Sequence, residues 1–89
     1  MTTDTPGYAA ERQKVYADID AERERQNARF PVSNIPYWKD PEGIKMMVLA
    51  EECGEVARAL LEGDRVGLRK ELIQVAAVAV AWLEALEAL

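Results

Sequence analysis

The chain has 89 residues, of which 49% are hydrophobic and 30% are charged, a composition typical of a single soluble globular domain. Its formal net charge of −5 argues against the basic surface that a nucleic-acid polymer or an anionic membrane would require. The lack of histidine excludes imidazole catalysis and imidazole metal ligands, and the single cysteine excludes a disulfide framework. Any chemistry of this chain therefore has to use oxygen ligands.

Size and hydropathy set two further expectations. The most apolar run, residues 75–83, is far shorter than the roughly 20 residues that span a bilayer, and the N-terminus lacks a basic leader with an apolar centre. We therefore expect no membrane insertion and a cytoplasmic location. Because a single hydrophobic core is marginal in a chain of this size, we also expect burial to continue across a subunit interface.

The first part of the chain predicts one helix and one loop within a single domain, residues 1–89. Residues 1–5 are polar and are expected to be frayed. Over residues 6–29 apolar side chains recur at three- and four-residue spacing, which predicts an amphipathic helix 1 with a thin apolar face. Residues 30–40 combine prolines with a tyrosine–tryptophan pair, so we expect a fixed loop there.

The second part of the chain predicts a helical hairpin. Asp40 is the expected N-cap of helix 2, residues 41–62, and Gly63 ends this helix. Asp64 is the expected N-cap of helix 3, residues 65–88, whose middle is apolar on almost every side and should be buried. Two other helices can cover only part of it. We therefore predict an all-α chain of three helices with an antiparallel helix 2/helix 3 hairpin, assembling into an oligomeric helical bundle.

Carboxylates interrupt the apolar sequence of both hairpin helices. Helices joined by so short a connection run antiparallel as neighbours, so residues equally far from Gly63 lie at the same height. Glu55 and Glu71 are each eight residues from this glycine. Glu52 and Gln74 are each eleven residues from it. At 1.5 Å per residue the two pairs lie roughly 12 and 16 Å from the turn, one helical turn apart.

Converging carboxylates in a poorly solvated site repel one another, and a divalent cation relieves that repulsion. Ligands that are all oxygen favour Mg²⁺ or Mn²⁺. The alternative is a solvated helix face on which the glutamates pair with the basic residues of the hairpin, Arg58, Arg65, Arg69 and Lys70. Spacing alone leaves both interpretations open.

The acidic motif and two neighbouring stretches carry a family resemblance. Residues 51–60 read EECGEVARAL, residues 68–76 read LRKELIQVA, and residues 22–30 read ERERQNARF. The first two resemble the E-E-x-x-E and E-x-x-D motifs of the MazG-like all-α nucleotide pyrophosphohydrolases. The third resembles the E-R-x-R-Q stretch of short, often phage-associated or bacterial, MazG-like proteins. The match to the acidic motifs covers helices 2 and 3, roughly half of the chain.

This resemblance implies a Mg²⁺-dependent hydrolase that cleaves nucleoside triphosphates between the α- and β-phosphates, giving the monophosphate and pyrophosphate. It implies that Glu52, Glu55 and Glu71 are catalytic metal ligands, with Glu51 in a supporting role. It also implies a homodimer or homotetramer in which helices of two subunits build the active site. Gln74 stands where the family has its last aspartate, and because its amide brings no charge, metal affinity and turnover are expected to fall.

Two other functions stay open on the sequence. One is a catalytically weak or inactive relative that binds nucleotides or a partner, and the other is a helical oligomerisation module with solvated glutamates. The candidates for substrate contacts are three cations for the phosphates and one loop aromatic for the base: Lys45, Arg58, Lys70 and Trp38. We expect Trp82 in a core or an interface, and Cys53 and Gly54 at close-packed positions.

Overall fold

The computed structural model describes residues 6–29 and 41–88, which form three α-helices. Their bounds are α1, Pro6–Arg29; α2, Pro41–Glu62; and α3, Arg65–Glu87. The prediction of an all-α chain of three helices is confirmed, with α3 ending one residue earlier than expected. The predicted frayed end, residues 1–5, and the predicted loop, residues 30–40, lie outside the described part of the chain.

The connection between α2 and α3 is a two-residue turn with both ends capped. Gly63 has a φ of 66°, in the left-handed region where a side chain would be strained. Its amide donates to the Leu60 carbonyl at 3.2 Å and the Asp64 amide donates to the Ala59 carbonyl at 3.0 Å, which is the hydrogen-bond pattern of a Schellman motif. The Asp64 side chain then caps α3 by accepting from the Gly67 amide at 2.8 Å. The hairpin is therefore locally encoded.

Helix α3 is the central element, because it packs against both α2 and α1. Its small residues Ala77 and Val78 are buried, and so is Ala59 of α2. Helix α3 is not buried on every side within one chain, because Leu72 and Leu83 remain 49% and 60% exposed. Two neighbouring helices leave one side of α3 uncovered. None of the described helices is long and apolar enough to cross a membrane.

Polar contacts hold the outer helices onto α3. The buried guanidinium of Arg23 in α1 donates to Glu84 of α3 at 2.7 Å, and it also donates to side chains one turn further along α1. Arg69 of α3 donates to Asp18 of α1 at 2.7 Å. On the other side, the partly buried Trp82 of α3 donates its indole N–H to Glu42 of α2. These contacts fix the rotation of α1 and α2 about α3.

Candidate functional site

The predicted site residues differ from their neighbours in burial. Glu52 and Glu55 of α2 are partly buried, and so are Glu71 and Gln74 of α3. The residues beside them in the sequence are mostly exposed, including Glu51, Cys53, Gly54, Lys70 and Leu72. The four residues selected by counting from the turn thus share an inward-leaning orientation. Close packing at Cys53 and Gly54 was a wrong prediction for the single chain, because both are exposed and nothing lies within 4 Å of a Cβ built on Gly54.

Glu52 is the residue of this group whose pKa responds to the charges of the others. Its pKa is raised above the ordinary value, first by burial and then by the negative charges of Glu71, Glu51, Glu55 and Glu22, in that order. The largest charge effect therefore comes from Glu71 on the opposite helix of the hairpin. Exposed Glu51 also acts on Glu52 through its charge. The charge of Glu71 reaches Glu52 from the opposite helix of the hairpin.

Glu22 of α1 is a carboxylate of this region to which the sequence motif assigned no role. Its side chain is only 10% exposed, and it accepts hydrogen bonds from Arg25 at 2.9 Å and from Gln26 at 3.4 Å. Burial acts to raise the pKa of Glu22, but hydrogen bonds from Arg25 and Gln74 and the Arg25 charge outweigh it and hold the pKa below its ordinary value. The spacing of Glu22, Arg25 and Gln26 places them on one helix face, but it does not indicate that this face turns toward α3.

The Gln74 side chain of α3 acts on the Glu22 carboxylate of α1. Its amide N–H₂ is its only donor group, so the interaction that lowers the pKa of Glu22 comes from that amide. An aspartate at this position would place a second carboxylate against Glu22. The structure thus gives a local reason for glutamine at position 74.

The donor chemistry of the group suits a hard divalent cation, because every candidate ligand is a carboxylate or an amide oxygen. Among the described residues, however, no three acidic or cysteine side chains are grouped closely enough to hold a metal ion. Glu52, Glu55 and Glu71 are each partly exposed. Their donor chemistry suits a metal ion, but the side chains of the described residues do not enclose one.

The candidates for substrate contacts are scattered. Lys45 is partly buried near the start of α2, and burial first, then the positive charge of Arg23, lower its pKa. Arg58 is exposed on α2. Lys70 is exposed and lines an open groove between α1 and α3. Trp38 lies outside the described residues. Of these cations, Lys70 is the one placed next to a predicted metal ligand.

Comparisons with protein-family models, with curated proteins and with solved structures find no match to this chain. The structure itself shows a small all-α protein of three helices, in which α3 packs against both of the others. The family resemblance is carried by the sequence motifs alone.

Proposed function

We propose that this protein is a Mg²⁺-dependent nucleoside triphosphate pyrophosphohydrolase of the MazG-like kind. The observation that supports the proposal best is the position of Glu52, partly buried and facing the charge of Glu71 across the hairpin, with further glutamates around it. Such an arrangement is unfavourable in the free protein and becomes favourable when a cation enters it. The resemblance of the motif to E-E-x-x-E and E-x-x-D supports the same reading.

In this proposal the ligands are Glu52, Glu55 and Glu71, with Glu51 beside them. Bound Mg²⁺ would supply charge neutralisation on phosphate oxygens and a more acidic water. The chain itself would position the carboxylates on two helices phased from one turn, with the α-phosphate beside them. A carboxylate of this set would accept a proton from the attacking water, whose oxygen bonds to the α-phosphorus as the bond to the bridging α–β oxygen breaks. The products are the nucleoside monophosphate and pyrophosphate.

The proposal includes a homodimer or homotetramer. Large apolar side chains are exposed on both hairpin helices, among them Met47 at 70%, Leu61 at 88% and Val66 at 85%. A three-helix chain that leaves so much apolar surface in water gains stability by pairing with a second copy. Sedimentation equilibrium measures the mass, and a strict monomer at micromolar concentration would contradict this part of the proposal.

A second candidate function is a nucleotide-binding protein with weak or no turnover. The specific observation that favours it is the Gln74 side chain, which carries no charge and is engaged with Glu22. A site with three carboxylates in place of four would hold Mg²⁺ less tightly and neutralise less of its positive charge. This candidate predicts nucleotide binding without release of pyrophosphate.

The deciding experiment incubates the purified protein with Mg²⁺ and each nucleoside triphosphate and measures pyrophosphate and monophosphate together. The test variant is Glu52→Gln, and the matched control is Glu24→Gln, which removes the same charge from an exposed position on α1. We expect product from the wild type and from the control, and little from Glu52→Gln. Binding of nucleotide with no product from any of the three proteins would select the second candidate.

A further inference from the structure

A groove of about 830 Å³ runs between α1 and the first half of α3, and its rim is strongly basic. Arg65, Arg69 and Lys70 line it from α3, and Arg25 lines it from α1. Two carboxylates of α1, those of Asp18 and Glu22, also reach it. The groove thus concentrates positive charge in a chain whose net charge is −5.

The carboxylates of the groove are already engaged. Glu22 is bound by Arg25, and Asp18 is bound by Arg69 at 2.7 Å. Neither Arg65 nor Lys70 forms an ion pair with any residue that the structure describes. Two cations on one wall of the groove are therefore uncompensated.

Arg65 lies at a position of α3 where a positive charge is unfavourable unless an anion binds beside it. Arg65 and Arg69 are four residues apart on the same helix face, a spacing at which like charges repel. Both lie in the N-terminal part of α3, where the helix dipole adds further positive potential, and the first turn holds no acidic residue. The Asp64 carboxylate at the N-cap is engaged with the Gly67 amide. Because Asp18 already pairs with Arg69, an anion in the groove would act on the unpaired charge of Arg65.

Two residues connect the groove with the carboxylate group. Glu22 and Gln74 line the groove, and the charge of Glu22 acts on Glu52. Lys70 precedes Glu71 directly and is one helical turn, about 5–6 Å, from Gln74. We propose that the groove holds the phosphate chain of a triphosphate ligand, with Arg65 and Lys70 binding its distal phosphates. This inference rests on the proposed function, because it places the distal phosphates of that substrate.

The test measures binding of inorganic tripolyphosphate by calorimetry in EDTA, so that neither metal nor turnover contributes. The variants are Arg65→Ala/Lys70→Ala and, as a control of equal charge type, Arg12→Ala, which is exposed on α1 outside the groove. Losing charge-assisted hydrogen bonds to phosphate should weaken binding at least ~10-fold in the double variant. The control should change it less than about 3-fold. Adenosine triphosphate binding should be weakened in the same variants as tripolyphosphate binding. Adenosine monophosphate should bind at least ~10-fold more weakly than either ligand.

All but the last of the following results would overturn the assignment. Equal weakening in Arg12→Ala would mean that net charge is responsible, and unchanged binding in the double variant would place the phosphates elsewhere. Monophosphate binding as tight as triphosphate binding would exclude a chain of phosphates. A change of molecular mass in the double variant with unchanged ligand binding would show that the groove is an interface between copies. Intact tripolyphosphate binding without metal-dependent hydrolysis would contradict the proposed function and leave the groove assignment standing.

Discussion

Replacing Glu52 by glutamine should stabilise the metal-free protein. The pKa of Glu52 is raised by burial and by four neighbouring glutamates, so the ionised side chain is disfavoured in the folded state. Glutamine keeps the size and the hydrogen-bonding capacity of the side chain and removes its charge. Glu52→Gln therefore removes the repulsion between the carboxylate of residue 52 and its neighbours, with little change in packing.

The size of this effect follows from the number of like charges and their exposure. A like-charge pair on a helix surface costs about 0.2–0.5 kcal/mol, so four neighbours would cost roughly 1–2 kcal/mol. Solvent screening of these partly exposed side chains reduces the expected gain of Glu52→Gln to about 1 kcal/mol. For a chain of this length that gain raises the melting temperature by about 4–8 °C.

Thermal unfolding followed by circular dichroism, in EDTA and then with Mg²⁺, measures the effect. Because the folded pKa lies above the ordinary value of 4.5, the gain is full at pH values above the raised pKa and disappears as the pH falls below about 4.5. With Mg²⁺ at one hundred times its Kd, the wild type should gain about 2.7 kcal/mol. Glu52→Gln should gain much less, so the order of the two melting temperatures should reverse.

Two results would refute the reasoning. The first is a melting temperature of Glu52→Gln in EDTA at neutral pH that is equal to or lower than that of the wild type. The second is an equal gain in the control Glu24→Gln, which loses the same charge at an exposed position without an ion pair in the described part of the chain. Either result would mean that the hairpin glutamates are solvated independently of one another.

Four further substitutions test other parts of the structure. Gln74→Asp should bind Mg²⁺ several-fold more tightly in a calorimetric titration, and unchanged or weaker binding would show that residue 74 does not reach the metal. Arg23→Met should lower the free energy of unfolding in urea by about 1.5–3 kcal/mol, because it removes a buried guanidinium that bonds to three side chains. An equally large loss of stability in Arg12→Met would contradict this prediction. Gly63→Ala should destabilise by about 1–2 kcal/mol because its φ is 66°. Gly54→Ala, in an exposed helix interior with open space around it, should stabilise by about 0.5–1 kcal/mol if the chain is monomeric, and destabilisation there would reveal a partner subunit.

The helices and the hairpin could be predicted from sequence because their signals are local. Gly63 and Asp64 form a turn and a cap through hydrogen bonds to residues at most five positions away. Counting outward from that turn pairs Glu55 with Glu71 and Glu52 with Gln74. All four residues are partly buried, but the charge effect across the hairpin runs from Glu71 to Glu52, one helical turn from its counted partner.

The role of Glu22 could not be predicted, because it depends on how α1 is rotated about α3. That rotation is set by contacts distant in sequence, such as Arg23 with Glu84 and Arg69 with Asp18. No local pattern indicates which face of a thinly apolar helix will turn inward. The hydrogen bond between Gln74 and Glu22 is hidden from sequence for the same reason, and so is the basic groove beside it.

The two-residue turn at residues 63–64 makes the hairpin intolerant of insertions. Because both helices are phased from one point, an extra residue in the connection would rotate α3 by about 100° relative to α2 and shift it by about 1.5 Å. Glu71 would then leave the face that it shares with Glu52, although every helix and every side chain would still be present. We therefore expect sequences that keep this site to vary freely in side chains along the exposed faces, and to keep the length of this turn unchanged.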